Sequence, residues 1–288
     1  MASPAVRSFF DPATRTISHV AWDAGTRAAA IIDGVLDYDD AAGRIGHASA
    51  DAIARFIDAN GLRVEWIIDT HVHADHLSAS AYLRERLGGR VAIGAGVREA
   101  QARFAQLFDL GAEFATDGSQ FDHLFEDGER YRLGEIEAVG MHTPGHTPAC
   151  MSHLIGDALF VGDTLFSPDY GSARCDFPGG DAHALYRSSR RLFALPADTR
   201  MFLCHDYPVP GRDGIMAETT VGAQLQDNVH LHAGIDEAAF VHMRETRDAT
   251  LSVPRLLLPA VQVNIRAGHL PPPAPNGIRY LKIPLDRF

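Results

Sequence analysis

Lysine is almost absent from this chain. Of its 26 basic residues only Lys282 is a lysine, so chemistry that needs a nucleophilic amine, such as Schiff-base formation, has a single candidate close to the C-terminus. Cysteine is nearly as scarce. Cys150, Cys175 and Cys204 are odd in number, widely spaced and without a CxxC pair, which argues against a disulfide framework or a thiolate zinc cage and leaves reduced thiols serving as small apolar side chains. Excess positive charge is missing as well. With 37 acidic residues the formal charge is -11, so no basic face is available for a phosphate backbone and no nucleic-acid partner is expected. Long hydrophobic runs are lacking too: no window approaches the roughly 20 apolar residues of a membrane span, and the opening MASPAVRSFF has neither the basic nor the apolar region of a secretory signal. These absences predict a soluble, cytoplasmic protein with no membrane partner.

What the chain does have is 46% hydrophobic residues over 288 positions, enough for a substantial core. TISHVAWD and AAAIIDGV are β-rich runs that predict an opening hairpin. SADAIARFIDANGL places Ile53, Phe56 and Ile57 at helical spacing, with Ser49 or Asp51 as cap and Asn60-Gly61 as stop. VEWIID, a helix ended by Gly88-Gly89, RVAIGAG and the helix VREAQARFAQLF continue a βαβα passage. The middle of the chain turns to strand runs broken at Asp127-Gly128 and Gly156-Asp157, both hairpin signals. Helices ALYRSSRRLFAL, TTVGAQLQDNVHL and EAAFVHMRETRD follow with the strand MFLCH, and LPPPAPNG reads as extended surface chain. One domain over 1–288, with a C-terminal extension from about 250, is the economical description.

Chemistry concentrates in IIDTHVHADHLSAS, where His71, His73, Asp75 and His76 follow an apolar strand. A lone histidine is usually a surface or structural residue. Three within six positions, flanked by carboxylates, point to a metal site, because strand ends are where ligand-binding loops gather. HTPGHTPA then places His146 in a tight turn, and ALFVGDTLF and MFLCHDY place Asp163 and His205 at the ends of further strands.

The HxHxDH run, the later His146, the strand-end Asp163 and the final His205 together resemble the metallo-β-lactamase superfamily, in order from Asp69 to Tyr207. That resemblance implies an α/β, four-layer αββα sandwich. It also implies that His71, His73 and His146 can hold one metal and Asp75, His76 and His205 a second, with Asp163 bridging. FSPDYGSARCDFPGGD, HDY, TTVGAQLQDN and the terminal LLLPAVQVNIRAGHLP further resemble the persulfide dioxygenase branch, related to glyoxalase II. In that branch one Fe(II) per chain sits on the equivalents of His71, His146 and Asp163, while His73, Asp75, His76 and His205 surround it. The substrates implied are glutathione persulfide and O2, and a homodimer is suggested.

Arg174 is expected to orient a carboxylate of glutathione or to hold its own loop through Asp176, with Phe177 beside the site. Tyr207 and His205 are expected near the reacting groups. Two alternatives stay open at this point: a dinuclear zinc hydrolase of the glyoxalase II type with two Zn, and a non-enzymatic persulfide carrier or sensor using Cys175. His142 and His153 read as structural, and His230, His232 and His242 as surface residues on helical stretches.

Overall fold

In the strand 28–32, Ala28, Ala30 and Ile32 belong to one buried cluster and Ala29 and Ile31 to another. Successive side chains of a strand point to opposite faces, so a strand buried throughout requires packed material on both sides. The layered architecture follows from this pattern.

The computed structural model describes residues 3–287. Its first half runs β1 (Ala5–Phe10), β2 (Ile17–Trp22), β3 (Ala28–Ile32), β4 (Val35–Asp39), β5 (Arg44–Gly46), α1 (Ala48–Ala59), β6 (Arg63–Ile68), β7 (Leu77–Ser78), α2 (Ser80–Leu87), β8 (Arg90–Gly94), α3 (Val97–Leu107) and β9 (His123–Phe125). The second runs β10 (Arg130–Leu133), β11 (Ile136–His142), β12 (Met151–Ile155), β13 (Ala158–Phe160), α4 (Ala182–Phe193), β14 (Arg200–Phe202), β15 (Glu218–Thr220), α5 (Val221–Asp227), α6 (Glu237–Asp248) and α7 (Leu257–Asn264).

Two six-stranded sheets result, ordered β1-β2-β3-β6-β8-β9 and β10-β11-β12-β13-β14-β15, with a small sheet β5-β4-β7 beside them. Ile32, Trp66, Ile68 and Phe125 of the first sheet pack against Leu133, Ile136, Ile155 and Phe160 of the second. On the outer face of the first sheet, Ile31, Ile67, Val91 and Ile93 meet Ile53, Leu83, Phe104 and Val261 of α1, α2, α3 and α7. Outside the second sheet, Leu159, Met201 and Leu203 meet Leu185, Leu192, Val221 and Phe240 of α4, α5 and α6. This is the αββα sandwich that the resemblance implied.

Several local expectations are corrected. The opening hairpin β2–β3 forms, but β1 precedes it and pairs with β2 in antiparallel register. Asp127-Gly128 does not close a hairpin: β9 lies parallel to β8 in the first sheet, whereas β10 pairs with β11 in the second, so the turn carries the chain between sheets. Gly156-Asp157 does join the antiparallel pair β12–β13. Neither Ser49 nor Asp51 caps α1. Its N-cap is His47 without a side-chain bond, and Ser49 instead donates to the Asp37 carboxylate at 2.6 Å, a partner brought in from β4. The segment beyond 250 is more than an appendage, since α7 contributes Leu257, Ala260, Val261 and Val263 to the core.

Candidate metal centre

All the ligand-type residues follow strand ends on one rim. His71, His73, Asp75 and His76 leave β6, Asp163 follows β13, and His205 follows β14, which is parallel to β13. His146 sits in the turn between β11 and β12, next to Gly145 at φ 144. A Cβ there would run into the Leu185 backbone of α4, so glycine lets the turn press against the helix and aim His146 inward.

Within this rim the side chains fall into two groups of mutually adjacent ligand atoms: His71, His146 and Asp163, and separately His73, Asp75, His76 and His205. In the first, His71 Nε2 and His146 Nε2 lie 3.8 and 3.7 Å from Asp163 Oδ2. In the second, His205 Nε2 lies 3.2 Å from Asp75 Oδ2 and His76 Nδ1 lies 3.4 Å from Asp75 Oδ1. Asp163 Oδ1 reaches across to His205 Nε2 at 3.3 Å. His71 Nε2, His73 Nδ1, His76 Nε2, Asp75 Oδ2, Asp163 Oδ1 and both ring nitrogens of His205 are buried without a hydrogen-bond partner among the described residues. Leaving so many polar atoms unsatisfied is costly, and a cation at their focus removes the penalty. Imidazole and carboxylate donors suit zinc or iron, and the first group is the two-histidine, one-carboxylate set associated with Fe(II) oxygen chemistry. Cys204 also lies close to Asp163 and His205. Burial first, and then the charges of Asp33 and Asp163, hold its thiol protonated.

Three supporting residues escaped the sequence reading. Asp33, buried in the turn after β3, accepts from the Thr70 amide at 2.7 Å and the Thr70 hydroxyl at 3.0 Å, and pairs with His73 Nε2 at 2.9 Å. It therefore fixes the His73 ring with Nδ1 left open. Burial works against an imidazolium at His73, but the Asp33 charge and hydrogen bond outweigh it and raise its pKa to about 9. Thr70 Oγ1 also lies 3.0 Å from His71 Nδ1. Asn264, at the end of α7, donates to the carbonyls of His73 and His76 at 2.8 and 2.9 Å and accepts from the Ser78 amide at 2.7 Å. A solitary Asn or Asp far away in sequence carries no local signal of such contacts.

A cavity of about 270 Å³ opens over the first group, lined by Asp75, His146, Asp163, Phe166, Tyr170, Arg174, Phe177, Tyr207, Arg244 and Arg247, among others. The Phe177 ring meets His146 edge-on at 4.9 Å, as expected for a residue beside the site. Tyr207 stacks between His205 at 5.7 Å and Tyr170 at 4.7 Å. Burial, reinforced by the Asp75 and Asp163 charges, pushes its phenol well above the ordinary value, so Tyr207 keeps its proton. Arg174 holds its own loop: Nε and Nη2 pair with Asp176 at 2.5 Å each, Nη1 donates to the Ser252 carbonyl at 2.8 Å, and its own carbonyl receives His146 Nδ1 at 2.8 Å. Cys175 is buried in the α4–α6 core, its amide bonded to Asp248 at 2.7 Å, and its side chain is not among those lining the cavity. Burial raises its thiol far above the normal range.

His142 and His153 are structural, bonded to the Pro148 carbonyl at 2.7 Å and the Tyr131 hydroxyl at 3.1 Å. His230 is not the surface residue expected; it lies beyond α5, half-buried, with Nδ1 accepting from the Ser172 amide at 3.1 Å behind the cavity wall.

The fold and this rim of ligands define a class. Residues 18–205 match the Metallo-beta-lactamase superfamily, and the chain belongs to that family. Over 98% of its length it is 54% identical to a probable metallo-hydrolase of Burkholderia pseudomallei, covering 99% of that protein. It is 47% identical to a protein named Glyoxylase B2 from Dictyostelium discoideum, over 92% of the chain and 91% of that relative. It is 32% identical to the mitochondrial persulfide dioxygenase ETHE1 of Homo sapiens, over 70% and 68% respectively. Among solved structures, ETHE1 from Myxococcus xanthus superposes with a TM-score of 0.72 at 31% identity, covering 92% of this chain and 100% of that one.

Proposed function

We propose that this chain is an Fe(II)-dependent dioxygenase that converts glutathione persulfide, O2 and water into glutathione and sulfite with release of two protons. The observation that carries the reading is the convergence of His71, His146 and Asp163, of which His146 and Asp163 line the cavity. The likeness to a relative named persulfide dioxygenase ETHE1 and to a solved structure named ETHE1 supports it. Two imidazoles and one carboxylate on one side of an iron leave further positions open, and when bound there Fe(II) would supply adjacent places for sulfur and oxygen and exchange electrons between them.

The chain's own groups complete the setting. Tyr207 donates a hydrogen bond from its protonated phenol toward whatever anionic atom enters beside His205. Phe166, Phe177 and Tyr170 exclude water from the inner cavity. The Arg174–Asp176 pair fixes the loop that carries Phe177 and, through the Arg174 carbonyl, the orientation of His146. Burial disfavours charge on His205, yet Asp163 and Asp75 on either side raise its pKa.

A second reading, a dinuclear zinc hydrolase acting on a glutathione thioester, is favoured by one specific feature. The two oxygens of Asp163 face different ligand groups, as a bridging carboxylate requires, and the relative named Glyoxylase B2 supports it. Elemental analysis of anaerobically purified protein, with O2 uptake on addition of glutathione persulfide, separates the two. About one iron per chain with uptake and sulfite formation upholds the dioxygenase; two zincs, no uptake and thioester cleavage overturn it. The carrier or sensor alternative needs an accessible, ionisable Cys175, and the burial of that thiol weighs against it.

A further inference from the structure

Three guanidinium groups line the cavity, and their partners differ. Arg174 is held by Asp176 and the Ser252 carbonyl. Arg244, 2% exposed, is held by Asp248 at 2.6 Å and by the Ser172 carbonyl at 3.2 Å. Arg247, one turn further along α6, is exposed, and among the described residues its side chain has no hydrogen-bond or ion-pair partner. Its guanidinium carbon lies over the Tyr170 ring, 5.7 Å from the centroid. The same Tyr170 stacks on Tyr207, which stacks on His205, so a continuous aromatic wall runs from the ligand groups to Arg247.

Resting on the reading above, we infer that Arg247 is the specificity-determining residue of the site, binding a carboxylate at the far end of a ligand whose sulfur end lies over His71, His146 and Asp163. An open guanidinium offers paired donors of the geometry a carboxylate accepts, and an aromatic face keeps it oriented without using those donors. The need for it follows from charge. A chain of net charge -11 repels anions at long range, so an anionic ligand entering this largely aromatic cavity requires a local cation at the mouth. The cavity, at about 270 Å³, lies at the small end of ligand pockets; it takes the sulfur end of a peptide-sized thiol inward and leaves its carboxylate at the exposed edge, beside Arg247. The class of substrate selected is therefore a low-mass thiol derivative that carries a carboxylate rather than one that lacks it.

The test compares wild type, Arg247→Met and Arg247→Lys on glutathione persulfide and on the persulfide of 2-mercaptoethanol, which lacks a carboxylate, reading KM and kcat separately. The preference for the carboxylate-bearing substrate is expected to fall about ten- to a hundredfold in Arg247→Met, through KM, and to be partly kept in Arg247→Lys. An unchanged preference in Arg247→Met overturns the inference. Calorimetric binding of glutathione and of its dimethyl ester to the same three proteins gives a readout independent of turnover. If wild type consumes no O2 with either persulfide but still prefers glutathione over its ester, and Arg247→Met loses that preference, the dioxygenase reading falls and the carboxylate anchor stands. Equal binding of glutathione and its ester by wild type removes the anchor whatever the reaction.

Discussion

Asp33 shows how much a single residue away from any motif decides. Its carboxylate fixes Thr70 by two hydrogen bonds and His73 by a third, and partners of this kind set the tautomer and basicity of the ring they hold. Asp33→Asn keeps the shape but removes the charge, and metal affinity is expected to drop about 10- to 100-fold, measured by competition with a chromophoric chelator. At the same scale, His71→Ala and Cys175→Ser should part company. The first removes a ligand from the inner group and is expected to abolish both metal retention and turnover. The second alters a buried thiol in the α4–α6 core and is expected to leave most turnover intact. Loss of turnover without loss of metal in Cys175→Ser would restore a chemical role for that thiol.

At the scale of elements, α7 matters through one contact point. Asn264 satisfies the Ser78 amide and the His73 and His76 carbonyls, all within the loop that follows β6. Asn264→Ala leaves these buried backbone groups without partners, at a cost of about 1–3 kcal/mol for each that water does not reach. Urea unfolding should show a loss of several kcal/mol, together with weakened metal retention because the same loop carries the ligands. A stability equal to wild type would mean that the loop stands without α7. This is why the segment beyond 250 cannot be treated as a removable tail.

For the whole molecule, the two sheets bury histidines as well as apolar side chains. His19 and His153 are 0–1% exposed, and burial lowers the pKa of each to about 4 from 6.5. Between those values the unfolded chain binds more protons than the folded one, so the stability present above pH 6.5 is lost as pH falls toward 4. The shift corresponds to about 3 kcal/mol per histidine at most. Urea midpoints taken from pH 7 to pH 4.5 should decline, and the decline should be shallower in His153→Gln; an identical slope would assign the acid sensitivity elsewhere.

The strand and helix patterns, the ligand residues and their order were legible locally, because period-2 and period-3.6 burial and clustered histidines are short-range signals. So was the family, from residues spread between Asp69 and Tyr207. Local patterns could not distinguish the Asp127-Gly128 crossover from a hairpin, because a turn of that composition serves either and only the partners of β9 and β10 differ. Nor could they find Asp33 or Asn264, whose partners lie 37–40 and 186–191 positions away, or tell which of three arginines is left open. By itself the sequence determined the strand and helix runs, the metal-binding residue types and the acidic charge that an anionic ligand must overcome, and the layers only through the family resemblance. Only the tertiary structure decided how the ligands divide into two groups and which donors remain unpaired, since those depend on distances between segments that the chain brings together only when both sheets have closed on their common core.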